Sequence, residues 1–202
     1  MSALADDRKI DEAAQPLTVE AFFDWIEHRE ERFELVEGVV RMLPNVTRSH
    51  ANIVSNIDYA LQSRLDRSRY MVTQGDFAVQ TGPKTVRYAD LMVEETNDDL
   101  MARKSDSPLL LVEVLSHSTA PLDFGIKRFE YQALPSLQVY MIVDQTRPFV
   151  WLFLRDTEGT WNAEPRLIDE GAIPIAVLGV ELDLAEIYHR IFSLKVGGGQ
   201  TG

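Results

Sequence analysis

The sequence predicts an α/β (α+β) domain in which a mixed β-sheet is flanked by α-helices. Runs rich in β-forming residues are mixed with amphipathic helical segments and do not alternate strictly with them. One run, Pro108 to Leu115, is almost wholly apolar, which is typical of a central strand buried on both faces. The 202 residues, 45% of them apolar, suffice for one core. We therefore expect one domain over residues 16–196, a disordered tail over 1–15 and a flexible tail over 197–202.

Two helices with a hairpin between them are predicted in the first third of the chain. Thr18 can cap the first helix, whose apolar stripe consists of Val19, Phe22, Phe23 and Ile26. Two β-rich runs then surround Glu37-Gly38, which is a turn signal. The second helix extends from about Ser49 to Leu65, where apolar residues again recur at helical spacing.

The same patterns predict the remaining elements. They are strands over Met71 to Gln80, Val86 to Glu94, Leu137 to Asp144 and Phe149 to Arg155, and helices over residues 122–134 and 184–192. The apolar stretch from Ile173 to Leu178 is either core or a subunit interface.

Charge and hydropathy restrict the partners of the chain. Twenty Lys and Arg against 32 Asp and Glu give a formal net charge of −12, which argues against nucleic-acid binding by bulk electrostatics. Any contact with DNA must then be local. No apolar run reaches the ~20 residues that span a bilayer, and the N-terminus lacks a secretory signal. We expect a soluble, cytoplasmic protein without membrane contact. The basic residues available for phosphate contacts include Arg41, Arg48, Arg64, Arg67, Arg69, Arg87, Arg103, Lys104 and Arg128.

Several classes of chemistry lack their sequence signatures. The chain has no cysteine, which removes disulfides, thiolate nucleophiles, iron–sulfur clusters and cysteine zinc sites. The four histidines show no HExxH spacing, and no Walker loop, GxGxxG or GxSxG motif occurs. One histidine, His50, falls near the start of the second helix, where a surface or capping role is the simplest interpretation.

Two carboxylates lie inside apolar β-runs. Glu113 is surrounded by leucine and valine in the predicted central strand, and Asp90 lies between Ala89 and Leu91 in the preceding strand. A buried carboxylate requires a cation, hydrogen-bond donors or a proton. If both side chains point to one face of the sheet, their oxygens form a hard site for Mg²⁺ or Mn²⁺. The plainer alternatives are a Glu that reaches solvent at the strand end, a core salt bridge and an ordinary strand Asp.

The helix after the central strand carries Asp123, Lys127 and Tyr131 four residues apart on one side. The simple interpretation is an ion pair between Asp123 and Lys127, worth a few tenths of a kcal/mol. Alternatively, the Lys127 ammonium reaches the two carboxylates, where it would hold a water or stabilise charge on a phosphate in the transition state. Glu34, in the first hairpin, adds a further carboxylate if that hairpin packs beside the site.

Asp90, the strand LLLVEVLS, the Asp123, Lys127 and Tyr131 series and the segment LQVYMIVDQ together resemble the Uma-two family of restriction-type endonucleases. The resemblance extends from the first helix to the strand that ends near Arg155. That family is a branch of the PD-(D/E)XK nuclease superfamily, so the resemblance implies a restriction-endonuclease-like domain.

The resemblance also implies a metal-dependent endonuclease that hydrolyses phosphodiester bonds in DNA. Asp90 and Glu113 would bind Mg²⁺ or Mn²⁺, with Glu34 as an additional acidic ligand beside them. The superfamily's usual lysine position, two residues after Glu113, holds Leu115, and the resemblance implies that Lys127 has taken over the catalytic role. A homodimer is implied as well. The alternatives are a catalytically silent, dimeric binding or scaffold protein with the same fold, and a phosphodiesterase acting on sugars or nucleotides.

Overall fold

A computed structural model describes residues 15–115 and 120–192. The predicted tails, apart from residue 15, lie outside these ranges, as does the polar break at residues 116–119. Five α-helices are present in the described ranges: α1 (Val19–Ile26), α2 (Arg48–Gln62), α3 (Ala120–Phe124), α4 (Ile126–Gln132) and α5 (Leu184–Ile187). None of these helices has the length and apolar composition that a membrane span requires.

The described ranges also contain thirteen strands: β1 (Phe33–Val36), β2 (Val39–Met42), β3 (Tyr70–Gln74), β4 (Ala78–Gly82), β5 (Thr85–Arg87), β6 (Leu91–Glu95), β7 (Lys104–Ser105), β8 (Pro108–Leu115), β9 (Val139–Asp144), β10 (Val150–Leu154), β11 (Arg166–Ile168), β12 (Ala172–Ile175) and β13 (Val180–Asp183). One sheet has the order β2-β1-β5-β4-β7 and a second has the order β11-β10-β9-β8-β6-β3, while β12 and β13 form a ribbon. Both sheets are mixed, with parallel pairing between β4 and β7 in one and between β8 and β9 in the other. The predicted class of mixed sheet flanked by helices is confirmed, although the strands are divided between two sheets.

The apolar run is the central strand β8, as predicted. It lies between β6 and β9 in the six-stranded sheet, and α3 and α4 supply the crossover that the parallel β8–β9 pair needs. Leu110 and Val114 pack into the core on the α2 side of the sheet. Leu111 and Leu115 pack on the opposite side, with Tyr131 of α4. Because side chains alternate along a strand, Glu113 belongs to the α4 side.

The N-terminal helix and hairpin form as the sequence predicts. The Thr18 side chain accepts a hydrogen bond from Ala21 N at the start of α1, and the helix packs Phe22 and Phe23 against the five-stranded sheet. Glu37 and Gly38 both have positive φ, at 51° and 81°, which is the requirement of the tight type I′ turn between β1 and β2.

Two predicted strands are each divided in the structure. The run from Met71 to Gln80 is broken at Gly75, giving β3 in the six-stranded sheet and β4 in the five-stranded sheet. The run from Val86 to Glu94 is likewise divided into β5 and β6. Since β3 pairs with β6 while β4 pairs with β5, the chain passes from one sheet to the other and back. Asp90 therefore lies immediately before β6, and not in the interior of a strand.

Three smaller features refine the prediction for the C-terminal half. The helix over residues 122–134 is divided at Gly125 into α3 and α4, and α5 ends at Ile187, before the predicted end at Phe192. The stretch from Ile173 to Leu178 belongs to the core of this chain, because both Ile173 and Ile175 are fully buried.

Candidate active site

Asp90 and Glu113 lie near each other, because the charge of Asp90 acts on Glu113 and Asp90 contacts the residue that follows it. The β6–β8 register pairs Leu91 with Val112, so one further step places Asp90 opposite Glu113. Asp90 Oδ2 accepts a hydrogen bond of 2.7 Å from the backbone N–H of Val114. The structure thus brings together, on adjoining segments, the two carboxylates that the sequence singled out.

Glu113 is almost completely buried and uses one oxygen for all its hydrogen bonds within the described residues. Its Oε1 accepts from Lys127 Nζ at 3.0 Å and from the Tyr131 hydroxyl at 2.8 Å. Burial raises the pKa of Glu113 well above its ordinary value, and the positive charge of Lys127 opposes that shift. The negative charge of Asp90 raises the pKa further, as expected for two neighbouring carboxylates. The ionised form of Glu113 therefore depends on nearby positive charge for its stability.

Lys127 supplies part of that charge. Helix α4 points its ammonium at three carboxylates, with Nζ 3.0 Å from Glu113 Oε1, 3.6 Å from Glu34 Oε1 and 3.6 Å from Asp123 Oδ1. Burial opposes the charged ammonium, but these carboxylates together raise the pKa of Lys127 above its ordinary value. The side chain is a cation that pairs with Asp123, as the simple interpretation predicts, and also reaches Glu113. Its catalytic role stays a prediction.

Glu34 reaches the site from the hairpin strand β1. Its Oε2 accepts a hydrogen bond of 2.9 Å from Arg87 Nη1, and its Oε1 accepts one of 3.3 Å from the Tyr88 backbone N–H. Arg87 also donates two hydrogen bonds, of 2.7 and 2.8 Å, to the carboxylate of Glu130 on α4. A continuous buried ion-pair network therefore links β1 and β5 to α4, with Lys127 at its inner end.

Sequence reasoning missed the roles of Arg87 and His50. Arg87 is 2% exposed and serves as an internal counter-ion, so it is not a phosphate contact as first expected. His50 is buried, and its Nε2 lies 3.0 Å from Asp90 Oδ2, which replaces the expected surface or capping role. The signal for His50 was its spacing, since His50, Ile53 and Ile57 fall at i, i+3 and i+7 on the buried face of α2.

Negative charge exceeds positive charge at this site. Four carboxylates contact the cations Lys127 and Arg87, and the Asp90 carboxylate is a fifth beside Glu113, so a surplus remains if every carboxylate is ionised. Protons or a further cation must offset that surplus in a region so poorly exposed to water. The five carboxylates belong to Glu34, Asp90, Glu113, Asp123 and Glu130.

A divalent ion of the type that the resemblance implies fits the Asp90–Glu113 pair. Donors from the described residues all go to Asp90 Oδ2 and Glu113 Oε1, which leaves Asp90 Oδ1 and Glu113 Oε2 as acceptors for a ligand. In residues 15–115 and 120–192, no three His, Cys, Asp or Glu side chains form a group able to hold a metal. Mg²⁺ usually takes one or two carboxylates and completes its shell with water and substrate oxygens, so a pair suffices.

Most of the basic residues suggested for phosphate contacts are already paired within the chain. Ion pairs engage Arg64, Arg69, Arg87, Arg103 and Lys104. Arg41 differs, because it is exposed and lies opposite Glu34 in the β1–β2 register, hence on the same face of the sheet as the site. Arg48, the exposed first residue of α2, lies two positions before His50. Of these two, Arg41 is the basic side chain that the strand register places on the Glu34 side of the sheet.

Known proteins share this sequence pattern and this fold. A crystal structure at 1.96 Å resolution of a "putative nuclease belonging to DUF820" from Anabaena variabilis ATCC 29413 superposes with a TM-score of 0.69. The match covers 88% of this chain and 100% of that one at 14% identity, so it shows a common fold.

Two uncharacterized proteins of Synechocystis sp. (strain ATCC 27184 / PCC 6803 / Kazusa) are similar in sequence. The protein slr1290 is 29% identical over 149 residues, which cover 72% of this chain and 77% of that protein. The protein sll1609 is 27% identical over 135 residues, which cover 64% and 75%. A family model, Uma2, described as "Putative restriction endonuclease", matches residues 19–185. The match spans most of the chain and confirms the resemblance: the chain belongs to the Uma2 (Uma-two) family.

Proposed function

We propose that this protein is a metal-dependent endonuclease that hydrolyses phosphodiester bonds in DNA. The observation that carries the proposal is the neighbouring pair of carboxylates, Asp90 and Glu113, with the Lys127 ammonium hydrogen-bonded to one of them. Asp90 and Glu113 would hold Mg²⁺ or Mn²⁺ through the oxygens that receive no hydrogen bond from the described residues. Bound there, such an ion supplies polarisation of the scissile phosphate and activation of the attacking water.

Lys127 is the proposed catalytic lysine. Its ammonium is buried, remains charged and is held by three carboxylates, so its position is fixed before substrate arrives. A preorganised cation of this kind stabilises the negative charge that develops on a phosphate in the transition state. Tyr131 assists by donating its hydroxyl hydrogen to Glu113 Oε1, which keeps that carboxylate oriented.

Glu34 stays the proposed third acidic residue of the site. Both of its oxygens already have partners, Arg87 and the Tyr88 N–H, and the Lys127 ammonium is near. To bind the metal directly, a Glu34 oxygen would first have to give up its hydrogen bond to Arg87 or to the Tyr88 N–H. We therefore propose that Glu34 mainly orients the Lys127 ammonium. A Glu34→Gln variant separates the two roles: Mn²⁺ affinity within about threefold of wild type supports orientation, whereas a loss of tenfold or more supports ligation.

Local positive charge makes DNA binding compatible with the net charge of −12. Arg41 supplies an exposed guanidinium group on the Glu34 side of the sheet, Arg48 supplies another at the start of α2, and the bound ion would offset part of the repulsion between carboxylates and phosphate. Binding should therefore depend strongly on the divalent ion and on salt concentration.

Metal titration with thermal melting is the test of this function. We expect Mn²⁺ or Mg²⁺ to raise the melting temperature of the wild-type chain, because an ion that binds only the folded state stabilises it by about 2.7 kcal/mol at one hundred times its Kd. Asp90→Asn and Glu113→Gln should abolish both that rise and the nicking of plasmid DNA. Asp76→Asn, at an exposed carboxylate, is the matched control and should change neither.

The competing functions correspond to other outcomes of the same experiment. No rise with either ion and no nicking of plasmid or single-stranded DNA would instead favour the catalytically silent binding or scaffold protein. Cleavage of RNA or of small phosphodiesters in preference to DNA would move the proposal to another substrate class. The homodimer stays a prediction, which sedimentation velocity measures directly.

A further inference from the structure

We infer that His50 is a positioning residue, which orients Asp90 so that its Oδ1 faces the metal. This inference rests on the proposed function, because it assigns a partner to one of the proposed metal ligands. The contact of His50 with Asp90 joins α2 to the segment before β6.

Two donors converge on a single oxygen of Asp90. His50 Nε2 lies 3.0 Å from Oδ2, and the Val114 N–H donates to the same oxygen at 2.7 Å. A carboxylate held at one oxygen from two directions cannot rotate freely, so its other oxygen is kept in one place. Ligating carboxylates and imidazoles generally depend on such outer hydrogen bonds for orientation.

His50 is itself held rigidly. It is the third residue of α2, its backbone N–H donates to the Thr47 side chain that caps the helix, and it is 8% exposed. Ile53 and Ile57, on the same buried face of α2, anchor this part of the helix in the core. Burial therefore restricts the rotamers of the ring, which directs Nε2 at Asp90.

The other ring nitrogen indicates which tautomer is present. Nδ1 is buried and has no hydrogen-bond partner in the structure described for residues 15–115 and 120–192. A buried N–H without an acceptor is less tolerable than a buried lone pair without a donor, so the proton belongs on Nε2, where Asp90 accepts it. In this tautomer the imidazole donates its Nε2 hydrogen to Asp90 Oδ2 and so orients the carboxylate.

Three variants test this role. His50→Leu removes the donor at similar volume, His50→Gln retains a side-chain N–H of similar reach, and His28→Leu changes an exposed histidine as the matched control. We expect His50→Leu to weaken Mn²⁺ binding about tenfold to a hundredfold, as loss of an outer-shell partner does. His50→Gln should restore affinity to within about threefold of wild type, and His28→Leu should have no effect. Calorimetric titration with Mn²⁺ supplies these affinities.

Metal-free protein supplies the second readout. Nitrogen-15 NMR of the wild-type chain should show the His50 proton on Nε2, and Asp90→Asn should shift that resonance. If the wild-type chain binds Mn²⁺ but His50→Leu binds it equally well, the positioning role is overturned while the proposed function stands. If the wild-type chain binds no Mn²⁺, the proposed function fails. In the separate NMR measurement, a proton found on Nδ1 of His50 would overturn the hydrogen bond from His50 to Asp90, and with it the positioning role. A drop in melting temperature of His50→Leu with unchanged Mn²⁺ affinity would make His50 purely structural and would also overturn the inference.

Discussion

Lys127 Nζ donates a hydrogen bond of 3.0 Å to Glu113 Oε1 although the two residues are fourteen positions apart and lie in different elements. The contact exists because α4 packs over the face of the sheet to which Glu113 belongs. It gives a buried carboxylate a charged partner, without which that carboxylate would be strongly destabilising. The same ammonium lies within 4 Å of Glu34 and Asp123, so Lys127 is both a structural counter-ion and the proposed catalytic cation.

Replacing Lys127 with Met removes the ammonium and keeps a flexible apolar chain. We expect cleavage to fall about 10²–10³-fold, because charge on the phosphate is no longer stabilised in the transition state. Mn²⁺ affinity should stay within about threefold of wild type or increase, since no proposed ligand is lost. Single-turnover cleavage and calorimetric titration measure the two effects. Lys84→Met, at an exposed lysine, is the control, and unchanged cleavage in Lys127→Met would remove the catalytic assignment.

Arg87 should contribute more to stability than any surface arginine. Arg87→Met leaves Glu34 and Glu130 without their shared counter-ion, so we expect the free energy of unfolding to fall by about 3–5 kcal/mol. Adding Glu130→Gln should recover part of that loss, because one unpaired charge is then removed. Urea unfolding gives these values. Arg69→Met breaks only the exposed pair with Glu95 and should lower stability by less than about 1 kcal/mol; a similar value for Arg87→Met would contradict the structural role.

Glu94 gives the fold a pH dependence that is separate from the site. Burial raises the pKa of Glu94 above its ordinary value of 4.5, while the hydrogen bond from Ser105 opposes the shift and the charge of Asp106 adds to it. Because the folded-state pKa is the higher one, the stabilising contribution is complete below the unfolded pKa. It is lost as pH rises through the folded pKa.

Glu94→Gln should remove this dependence. We expect the stability of Glu94→Gln relative to wild type to improve as pH rises above the unfolded pKa and to level off above the folded-state pKa, since only the wild-type side chain must ionise. Denaturant unfolding at several pH values measures the difference. Glu95→Gln, at the exposed neighbour on β6, should show no such trend, and a flat difference for Glu94→Gln would show that Glu94 ionises freely in the folded state.

Arg41 should contribute one phosphate contact to nucleic-acid binding. Arg41→Gln is expected to weaken binding of a DNA duplex similarly for all sequences and to reduce the slope of log K against log salt by about 1. Fluorescence anisotropy with Ca²⁺ in place of Mg²⁺ measures binding at several salt concentrations. Arg69→Gln, which removes an arginine already paired with Glu95, is the control. If the slope of log K against log salt is the same for Arg41→Gln and wild type, Arg41 does not contact a DNA phosphate.

Patterns within single segments carried most of the correct predictions. The Thr18 cap, the turn at Glu37-Gly38 and the central strand β8 are local features, and each formed where its residues indicated. By contrast, the predicted strand from Met71 to Gln80 proved to be two strands in different sheets. Both halves are rich in β-forming residues, and only their pairing partners differ, so residue pattern alone could not divide them.

The sequence by itself determined the fold class and the family. It also predicted Asp90, Glu113 and Lys127 as the centre of the proposed site, because an acid within an apolar run is anomalous wherever it occurs. Only the tertiary structure decided how the charges are matched: that His50 meets Asp90, and that Arg87 joins Glu34 to Glu130. The physical reason is that burial and ion pairing are properties of distances between chain segments. The residues next to a given position in the sequence do not reveal those distances.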